Sequence, residues 1–248
     1  MHILLRTHEE LFEATVRRES RSRRFTVVIN GNFYDVSRSG LMDAAWGHDP
    51  VPANATTPIG RLVDNFRSIG GRLAPNNFYI ANIAGPLFGY EFGFGDAPTG
   101  SPYMSAIGGL GPLIINGLKY GNGNRYQPGT SAGAPTTGPP PSQYRANLIQ
   151  RNNNTYIAAS QLPASTGKTV IAHSSAERKL LILVQSNAAS NGITLDDLRD
   201  KLHGVGLDNA VFLDGSDSAM LFHRHSFFVR QGPNKDETNT IGIGFTIT

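Results

Sequence analysis

The residues of this chain that could do chemistry are concentrated in the segment VFLDGSDSAMLF, residues 211–222. An apolar run leads into Asp214 and Gly215, and Asp217 and Ser218 follow before a second apolar run. An Asp-Gly pair between apolar runs is typical of a tight hairpin turn. The alternative is a ligand-facing loop, in which Gly215 lets the backbone approach a ligand and Asp214 points into a cleft. The segment by itself is compatible with both interpretations.

Other motifs with a known chemistry do not fit. ASTGKT suggests a phosphate-binding loop, but Leu162 stands where that motif needs its first glycine, and a strand-like segment follows. A serine hydrolase would find Asp217 and Ser218 beside Gly215, yet GSDSA does not match the nucleophile elbow G-x-S-x-G. The chain has 7 histidines without an HExxH-like pair and no cysteine, so neither a zinc-protease motif nor a thiolate site is present.

Composition favours a strand-rich protein with a large core. The chain has 248 residues, of which 39% are hydrophobic, which is enough for one sizeable domain. Its 28 glycines and 15 prolines imply many turns. A net charge of +3 is compatible with a phosphate-bearing ligand. The basic run between Arg17 and Arg24 is interpreted as a helix C-terminus followed by a solvated linker.

No segment approaches the roughly 18–20 apolar residues of a membrane span. The N-terminus has only a short apolar run before charged residues begin, which is unlike a signal peptide. We therefore expect a protein that is cytoplasmic or exported by a leaderless route.

The elements that must position these residues can be predicted from the hydrophobic pattern. A Thr7–Glu10 capping box predicts a helix over about 8–20. The run FTVVIN predicts a buried strand that opens into a polar loop at Asn30, Gly31 and Asn32.

The C-terminal third predicts a strand, a helix and a second strand. KLLILVQ and AVFLDG are the strands, and Thr194 caps the helix LDDLRDKL between them. This order favours a right-handed crossover with two parallel strands.

The expected fold is a single α+β domain over 1–248, with a mixed twisted β-sheet and a few flanking helices. Residues 1–24 form an N-terminal helix and basic linker, and the Gly/Pro-rich stretch 121–142 is a surface-loop insertion. The cleft is expected where the strands ending at Asn30 and Asp214 finish, because open sheets with parallel strands bind ligands at strand ends.

Four segments together resemble the phosphodiester glycosidase family, which contains N-acetylglucosamine-1-phosphodiester alpha-N-acetylglucosaminidase-like domains. They are INGNFYD, GLGPLIINGLKY, GITLDDLRDKLHGVGLDNAVFLDGSDSAM and ETNTIGIGF. Their order and spacing hold from about residue 25 to the end, and the third segment is the most specific. The resemblance favours a ligand-facing Asp214 over a plain hairpin turn.

This chain departs from the family pattern at several positions. The second and third glycines of the family's LDGGG are Ser216 and Asp217, and the Asn that precedes LDGG is Phe212. Lys168 stands in place of an arginine, which replaces a bidentate phosphate clamp with a point charge.

The resemblance implies a hydrolase that cleaves the bond between a sugar and a phosphodiester, with an N-acetylhexosamine-1-phosphodiester-like substrate. Asp214 is the first candidate for the catalytic carboxylate and Asp217 for its partner. The residues implied in substrate binding are Asn30, Gly31, Asn32, Lys168, Gly215, Ser218 and Asn239. Turn formation by the Asn-Gly pair and a solvated strand-end lysine are the alternatives for Asn30, Asn32 and Lys168.

No cofactor is implied, although Asp214, Asp217 and Asp35 would suit a divalent cation if they converge. The expected partner is a glycan or sugar-phosphodiester substrate, not a nucleic acid. Two alternatives stay open. One is a catalytically decayed carbohydrate- or phosphoglycan-binding module, which the altered LDGSD loop suggests. The other is a leaderless exported or phage-borne effector that acts on cell-envelope glycopolymers.

Overall fold

Short strands with buried apolar side chains make up most of the architecture. The computed structural model describes residues 1–6, 10–36, 56–75, 77–85, 89–120, 148–151, 155–158, 164–232, 239 and 241–246. The predicted insertion at 121–142 lies outside these residues. The described helices are α1 (Phe12–Arg23) and α2 (Leu195–Gly204), with a 3-10 turn at Ser216–Ser218. The described strands are β1 (His2–Leu5), β2 (Val27–Asn30), β3 (Tyr34–Val36), β4 (Thr56–Pro58), β5 (Leu62–Asp64), β6 (Arg67–Gly70), β7 (Phe78–Ile83), β8 (Gly89–Phe94), β9 (Tyr103–Ile115), β10 (Leu118–Lys119), β11 (Leu148–Arg151), β12 (Thr155–Ala158), β13 (Lys168–Ser174), β14 (Lys179–Gln185), β15 (Asn209–Phe212), β16 (Leu221–His223), β17 (Ser226–Val229) and β18 (Ile241–Phe245).

The strands form two main sheets. A 5-stranded sheet has the order β1-β18-β2-β16-β17. A 9-stranded sheet has the path β14-β13-β15-β9-β5-β6, with β7, β8 and β10 joined to it. The pairs β3-β4 and β11-β12 stand apart from both. The expectation of an α+β fold rich in strands with few helices is confirmed.

The two sheets and two helices are stacked in layers that explain the burial pattern. The apolar side chains between the sheets include Ile29, Ile107, Val211 and Ile243. Val28, the neighbour of Ile29, faces the other way, into a cluster with Phe12 and Val16 of α1. Because successive side chains of a strand point to opposite faces, β2 contributes to both cores and is buried throughout. On the outer face of the larger sheet, α2 packs with Leu195 and Leu202 over Phe212.

The two strands predicted in the C-terminal third run parallel to each other, as expected, but they are not neighbours in the sheet. The strands β14 and β15 are both formed, but each pairs with β13, which lies between them and runs antiparallel to both. The helix α2 therefore connects two strands that are separated in the sheet by one other strand, β13. All the described pairs of named strands are antiparallel, and the parallel contact among the described residues is an isolated bridge between Ile59 and Arg72. The sheets are thus antiparallel where a mixed sheet was expected.

The two helices differ in how well their starts were predicted. The cap of α2 is confirmed, since Thr194 Oγ1 accepts a hydrogen bond from Asp197 N over 3.1 Å. By contrast, α1 begins at Phe12 after Leu11, which provides no side-chain cap. Thr7, the other half of the predicted capping box, lies outside the described residues. The helix continues to Arg23, so most of the basic run is helical and the expected linker is reduced to the residues after Arg24. Neither described helix has the length and apolar character needed to cross a membrane.

Candidate active site

The ends of β2 and β15 lie next to each other, although the two strands belong to different sheets. Asp214 N donates to Gly31 O over 3.3 Å, and Asn30 Nδ2 donates to Asp214 O over 2.7 Å. Gly31 is also tied to the last strand, because its N donates to Ile241 O over 2.9 Å. The structure therefore brings together the two strand ends at which the sequence predicts a cleft.

Asn30 is a buried cross-link at this junction. Its Oδ1 accepts hydrogen bonds from Thr169 Oγ1 over 2.6 Å and from Met220 N over 3.1 Å. With the bond from Nδ2 to Asp214 O, the amide ties β2 to β13 and to both ends of the loop 214–220. In this arrangement Asn30 positions Asp214, and a direct contact between Asn30 and a substrate stays a prediction.

Asp214 is half-buried and has its backbone fixed. Both its N and its O are hydrogen-bonded to β2 or to the residue that follows it, Gly31. Its Oδ1 accepts from Gly215 N over 2.9 Å, which orients the carboxylate relative to the main chain. A carboxylate that is held in place and still partly exposed has the properties that a catalytic base or nucleophile needs.

The loop after Asp214 is pressed against the start of β13. A side chain at Gly215 would place its Cβ 2.5 Å from Gly167 O, and one at Gly167 would come within 2.0 Å of Ser216 O. Ser216 N donates to Gly167 O over 2.8 Å. The close approach of these two backbone segments requires glycine at both 167 and 215, and an approach of Gly215 to a ligand stays a prediction.

Ser216 adopts a backbone conformation that suits glycine better than serine. Its φ is 54°, in the left-handed region, and its side chain is exposed. This is the position at which the resemblance identifies a family glycine. The chain therefore places a serine in a left-handed conformation, which strains the backbone, at a position where the resemblance identifies a glycine.

Asp217 and Asn239 are connected through the segment 231–232. Gly232 N donates to Asp217 O over 2.7 Å, so the backbone of Asp217 is anchored there. Asn239 Nδ2 donates to Gln231 Oε1 over 2.5 Å, and both of these side chains are buried. Asn239 therefore supports the segment 231–232, which anchors the backbone of Asp217 in this structure.

Two predicted binding residues carry a buried oxygen with no hydrogen-bond partner among the described residues. Ser218 is 1% exposed and its Oγ is unbonded there. Asn32 is 2% exposed and its Oδ1 is likewise unbonded, while its Nδ2 donates to Ile59 O over 2.7 Å and to Gly108 O over 3.1 Å. Buried polar atoms without partners are uncommon in folded proteins, and they mark places where a small movement or a ligand would complete the bonding.

Lys168 is buried at the first position of β13, beside Gly215. Its Nζ donates to Ala164 O over 3.0 Å and to Thr166 O over 2.6 Å. Burial lowers the pKa of this ammonium group below its ordinary value. In this structure the charge of Lys168 holds the loop 164–166, and its predicted contact with phosphate would require the side chain to turn away from these carbonyls.

A cation site has no support in the described part of the chain, where no cluster of three or more histidine, aspartate or glutamate side chains could hold a metal. The side chain of Asp35, the third predicted ligand, is outside what the structure describes.

Sequence reasoning missed the role of Thr169 and Gly167. Thr169 is fully buried and its hydroxyl donates a hydrogen bond to Asn30 Oδ1, and Gly167 accommodates the loop that carries Ser216. The available signal was a polar residue at the start of the buried run TVIA, two positions after a glycine.

Solved structures share this fold at low sequence identity. The catalytic domain of zebrafish N-acetylglucosamine-1-phosphodiester alpha-N-acetylglucosaminidase, described as auto-inhibited by its pro-peptide, superposes with a TM-score of 0.57 and 15% identity. That match covers 100% of this chain and 73% of the zebrafish chain. A protein from Burkholderia pseudomallei gives a TM-score of 0.54 at 11% identity, covering 97% of this chain and 70% of the other. A hypothetical protein from Synechocystis gives 0.50 at 12% identity, covering 98% of this chain and 56% of the other.

No curated protein matches the sequence. The family model described as Phosphodiester glycosidase, however, matches residues 23–248, which span β2, β15 and the loop that carries Asp214. Since the match covers nearly the whole chain, this protein belongs to the phosphodiester glycosidase family.

Proposed function

We propose that this protein hydrolyses the bond between the anomeric carbon of a sugar and a phosphodiester oxygen, with an N-acetylhexosamine-1-phosphodiester as the substrate type. The observation that carries the proposal is Asp214, a half-buried carboxylate fixed where two sheets meet, in a chain of this family. The similarity to the zebrafish N-acetylglucosamine-1-phosphodiester alpha-N-acetylglucosaminidase supports the substrate type.

The chemistry needs few groups because the leaving group is stable. Water adds to the anomeric carbon, the carbon–oxygen bond breaks, and a phosphate monoester departs with the electron pair of that bond. A phosphate monoester leaves as an anion, so the roughly 10²–10⁴-fold benefit of proton transfer is largely dispensable on that side. Asp214 acts on the other side, either by taking the proton of the attacking water or by attacking the anomeric carbon itself, with Asp217 as its partner.

The remaining predicted residues surround Asp214 in this proposal. Ser218 Oγ and Asn32 Oδ1 are buried and have no hydrogen-bond partner among the described residues. After a small local movement, the phosphate and the sugar hydroxyls of a substrate would supply the missing hydrogen bonds. Gly31 and Gly215 keep the backbone close to the ligand. Lys168 supplies positive charge once its ammonium leaves Ala164 O and Thr166 O.

Phosphorus NMR of the purified protein with an N-acetylglucosamine α-1-phosphate diester tests the proposal. We expect the diester signal to convert to a monoester signal, and we expect Asp214→Asn to slow the conversion by about 10²–10⁴-fold. Asp200→Asn is the matched control, because Asp200 is exposed on α2 and bonded to Arg199 and Lys119, remote from the strand ends. Conversion at the wild-type rate by Asp214→Asn would remove Asp214 from the mechanism.

The second candidate is a binding module that has lost turnover. Ser216 and Asp217, which stand at family glycine positions, favour it, since a strained and bulkier loop narrows the space beside Asp214. In the same NMR experiment a decayed enzyme shifts the diester resonance without producing any monoester, in both the wild type and Asp214→Asn.

A further inference from the structure

A second candidate site lies at the opposite end of β2 from Asn30. A cavity of about 550 Å³ opens there, between the C-terminus of α1 and the turn that joins β16 to β17. Its lining includes Arg21, Arg24, Arg224 and His225. Arg224 N donates to Thr26 O, which precedes β2, so the cavity is separated from Asn30 by the length of that strand, about 13 Å at 3.3 Å per residue.

The arginines of this cavity have no acidic partner among the described residues, whereas several arginines around them do. Around them, Arg18 pairs with Glu10 and Glu19, Arg23 pairs with Glu19 and Asp64, and Arg230 pairs with Glu13. Within the described chain, no carboxylate pairs with Arg21, Arg24 or Arg224. Among the described residues, the charges of these three arginines are therefore not balanced by a carboxylate, and the neighbouring Arg17 adds a further cation, since it donates to His225 O and lies over the ring of Phe227 without a described ion pair.

The backbone beside the cavity is also unusual, because two of the lining residues have positive φ. Arg224 and His225 have φ of 44° and 78° and form the whole two-residue turn between β16 and β17. Such a turn needs positive φ at both positions and favours Asn-Gly. The chain uses Asn116-Gly117, with φ of 50° and 77°, for the equivalent turn between β9 and β10.

Arg24 repeats this pattern at the end of α1. Its φ is 57°, at a helix C-terminus where glycine is the usual residue. Three basic residues thus occupy left-handed positions around one cavity, and residues with a Cβ are disfavoured at each of them. Strained backbone that gathers around a concave surface is characteristic of ligand sites.

We propose that this cavity binds a small molecule or chain end that carries phosphate or sulfate ester groups. Guanidinium groups form paired hydrogen bonds with tetrahedral oxyanions, and several of them around one cavity suit a ligand with more than one negative charge. The volume of about 550 Å³ accommodates a group of about the size of one phosphorylated sugar. The proposal is independent of the diester hydrolysis proposed above, because it uses none of the residues around Asp214.

Isothermal titration of the full chain with inorganic pyrophosphate, and separately with inorganic phosphate and sulfate, tests the proposal. We expect Arg21→Ala and Arg224→Gly each to weaken pyrophosphate binding by about tenfold, since each removes one charge-assisted contact. Arg224→Gly also relieves the left-handed backbone, so its thermal midpoint should not fall. This keeps a loss of binding distinct from a loss of folding.

Arg178→Ala is the matched control. Arg178 is exposed, has a φ of 53° and lies in the turn between β13 and β14, outside the cavity. The Arg178→Ala variant should bind pyrophosphate with the affinity of the wild type. Equal binding of sulfate and phosphate assigns the site to both ester types, and binding of phosphate and pyrophosphate alone assigns it to phosphorylated ligands.

Three results would overturn the proposal. The first is pyrophosphate binding that Arg21→Ala and Arg224→Gly leave unchanged. The second is an equal loss in Arg178→Ala, which would indicate a general effect of net charge. The third is a loss in Ser218→Ala alone, which would place the anion beside Asp214. None of these results depends on whether the protein hydrolyses a diester.

Discussion

The side chain that organises the candidate site is an amide, Asn30, and not a charged group. Its oxygen accepts two hydrogen bonds and its nitrogen donates to the carbonyl of Asp214. A net hydrogen bond contributes only about 0.5–1.5 kcal/mol, but a buried partner left unsatisfied costs about 1–3 kcal/mol. The contribution of Asn30 to stability therefore comes mainly from the buried groups that would lose their hydrogen-bond partner if the amide were removed.

Replacement of this amide should be costly for that reason. We expect Asn30→Ala to lower the free energy of unfolding by about 2–4 kcal/mol, because Thr169 Oγ1, Met220 N and Asp214 O lose a buried partner. Urea denaturation measures this. Asn77 is a matched control, since it is as buried as Asn30 but neither polar atom of its side chain is bonded in the described structure. Asn77→Ala should cost about 1 kcal/mol or less, and equal costs for the two variants would refute the cross-linking role.

The departure from the family pattern at position 216 has a measurable consequence. Because Ser216 holds a φ of 54° and is exposed, Ser216→Gly should raise the free energy of unfolding by about 0.5–1 kcal/mol. The thermal midpoint should rise by roughly 1–4 °C for a chain of this length. Ser186→Gly, at an exposed position outside the left-handed region, is the control and should not stabilise. A Ser216→Gly variant no more stable than the wild type would mean that the loop carries no strain.

At the scale of elements, prediction succeeded where the signal is local. The polar residues after β2 and β15, and the Thr194 cap of α2, follow from an abrupt change from apolar to polar residues and from a side chain that bonds its own helix. Prediction failed where contacts with residues distant along the chain determine the secondary structure. Glycine is uncommon inside strands, yet β9 contains Gly108, Gly109 and Gly111 and runs without a break from Tyr103 to Ile115. Glycine is tolerated there because other backbone packs against it, as at Gly109, where a Cβ would meet Ile59 O at 1.6 Å.

The packing of β13 on β8 gives the fold a pH dependence. His173 of β13 is buried, with its ring stacked on Phe92 at 5.9 Å between ring centres. Burial lowers the pKa of His173 below its ordinary value of 6.5, and the charge of Asp208 opposes this only in part. The folded state therefore prefers the neutral ring, and the unfolded chain takes up the proton first as the pH falls.

It follows that stability is fully present above about pH 6.5 and declines as the pH falls below it, by at most about 1.4 kcal/mol per pH unit from this one group. His173→Gln, which cannot be protonated, should show a weaker decline between pH 7.5 and pH 5. Urea midpoints of both proteins at these two pH values provide the measurement. If the two proteins lose stability equally over this range, another group is responsible.

At the scale of the whole molecule, the candidate site exists because two sheets meet at one point. The sequence predicted the two strand ends and their proximity, but assigned them to a single sheet. Nothing local to β2 or β15 specifies that one lies in the 5-stranded sheet and the other in the 9-stranded sheet. That assignment depends on which apolar faces pack together, as Ile29 and Val211 do in the core between the sheets. Long-range pairing of this kind leaves no trace in spacing along the chain.

The segment before the family match is also part of this junction. The match begins at residue 23, yet β1 pairs with β18 along its whole length, and β18 pairs on its other side with β2. Met1 O accepts a hydrogen bond from Ser105 Oγ of β9 over 2.6 Å, which links the two sheets. Residues 1–6 therefore support β2, and through it Asn30, instead of being an appendage to the family's domain.

Deletion of residues 1–6 should consequently disable folding. It would expose one edge of β18 and remove Ile3 and Leu4, which are 2% and 1% exposed and each contribute about 1.5–3 kcal/mol of burial. Together the two residues account for about 3–6 kcal/mol, which is comparable to the lower end of the roughly 5–15 kcal/mol that stabilises a typical domain, so we expect insoluble protein or a large fall in the thermal midpoint. Ile3→Ser should give a smaller loss of the same kind, whereas Leu181→Ser, at a residue 40% exposed on β14, should change little. A soluble monomer with the wild-type midpoint after the deletion, measured by size-exclusion chromatography and thermal unfolding, would show that the family-matched region folds without β1.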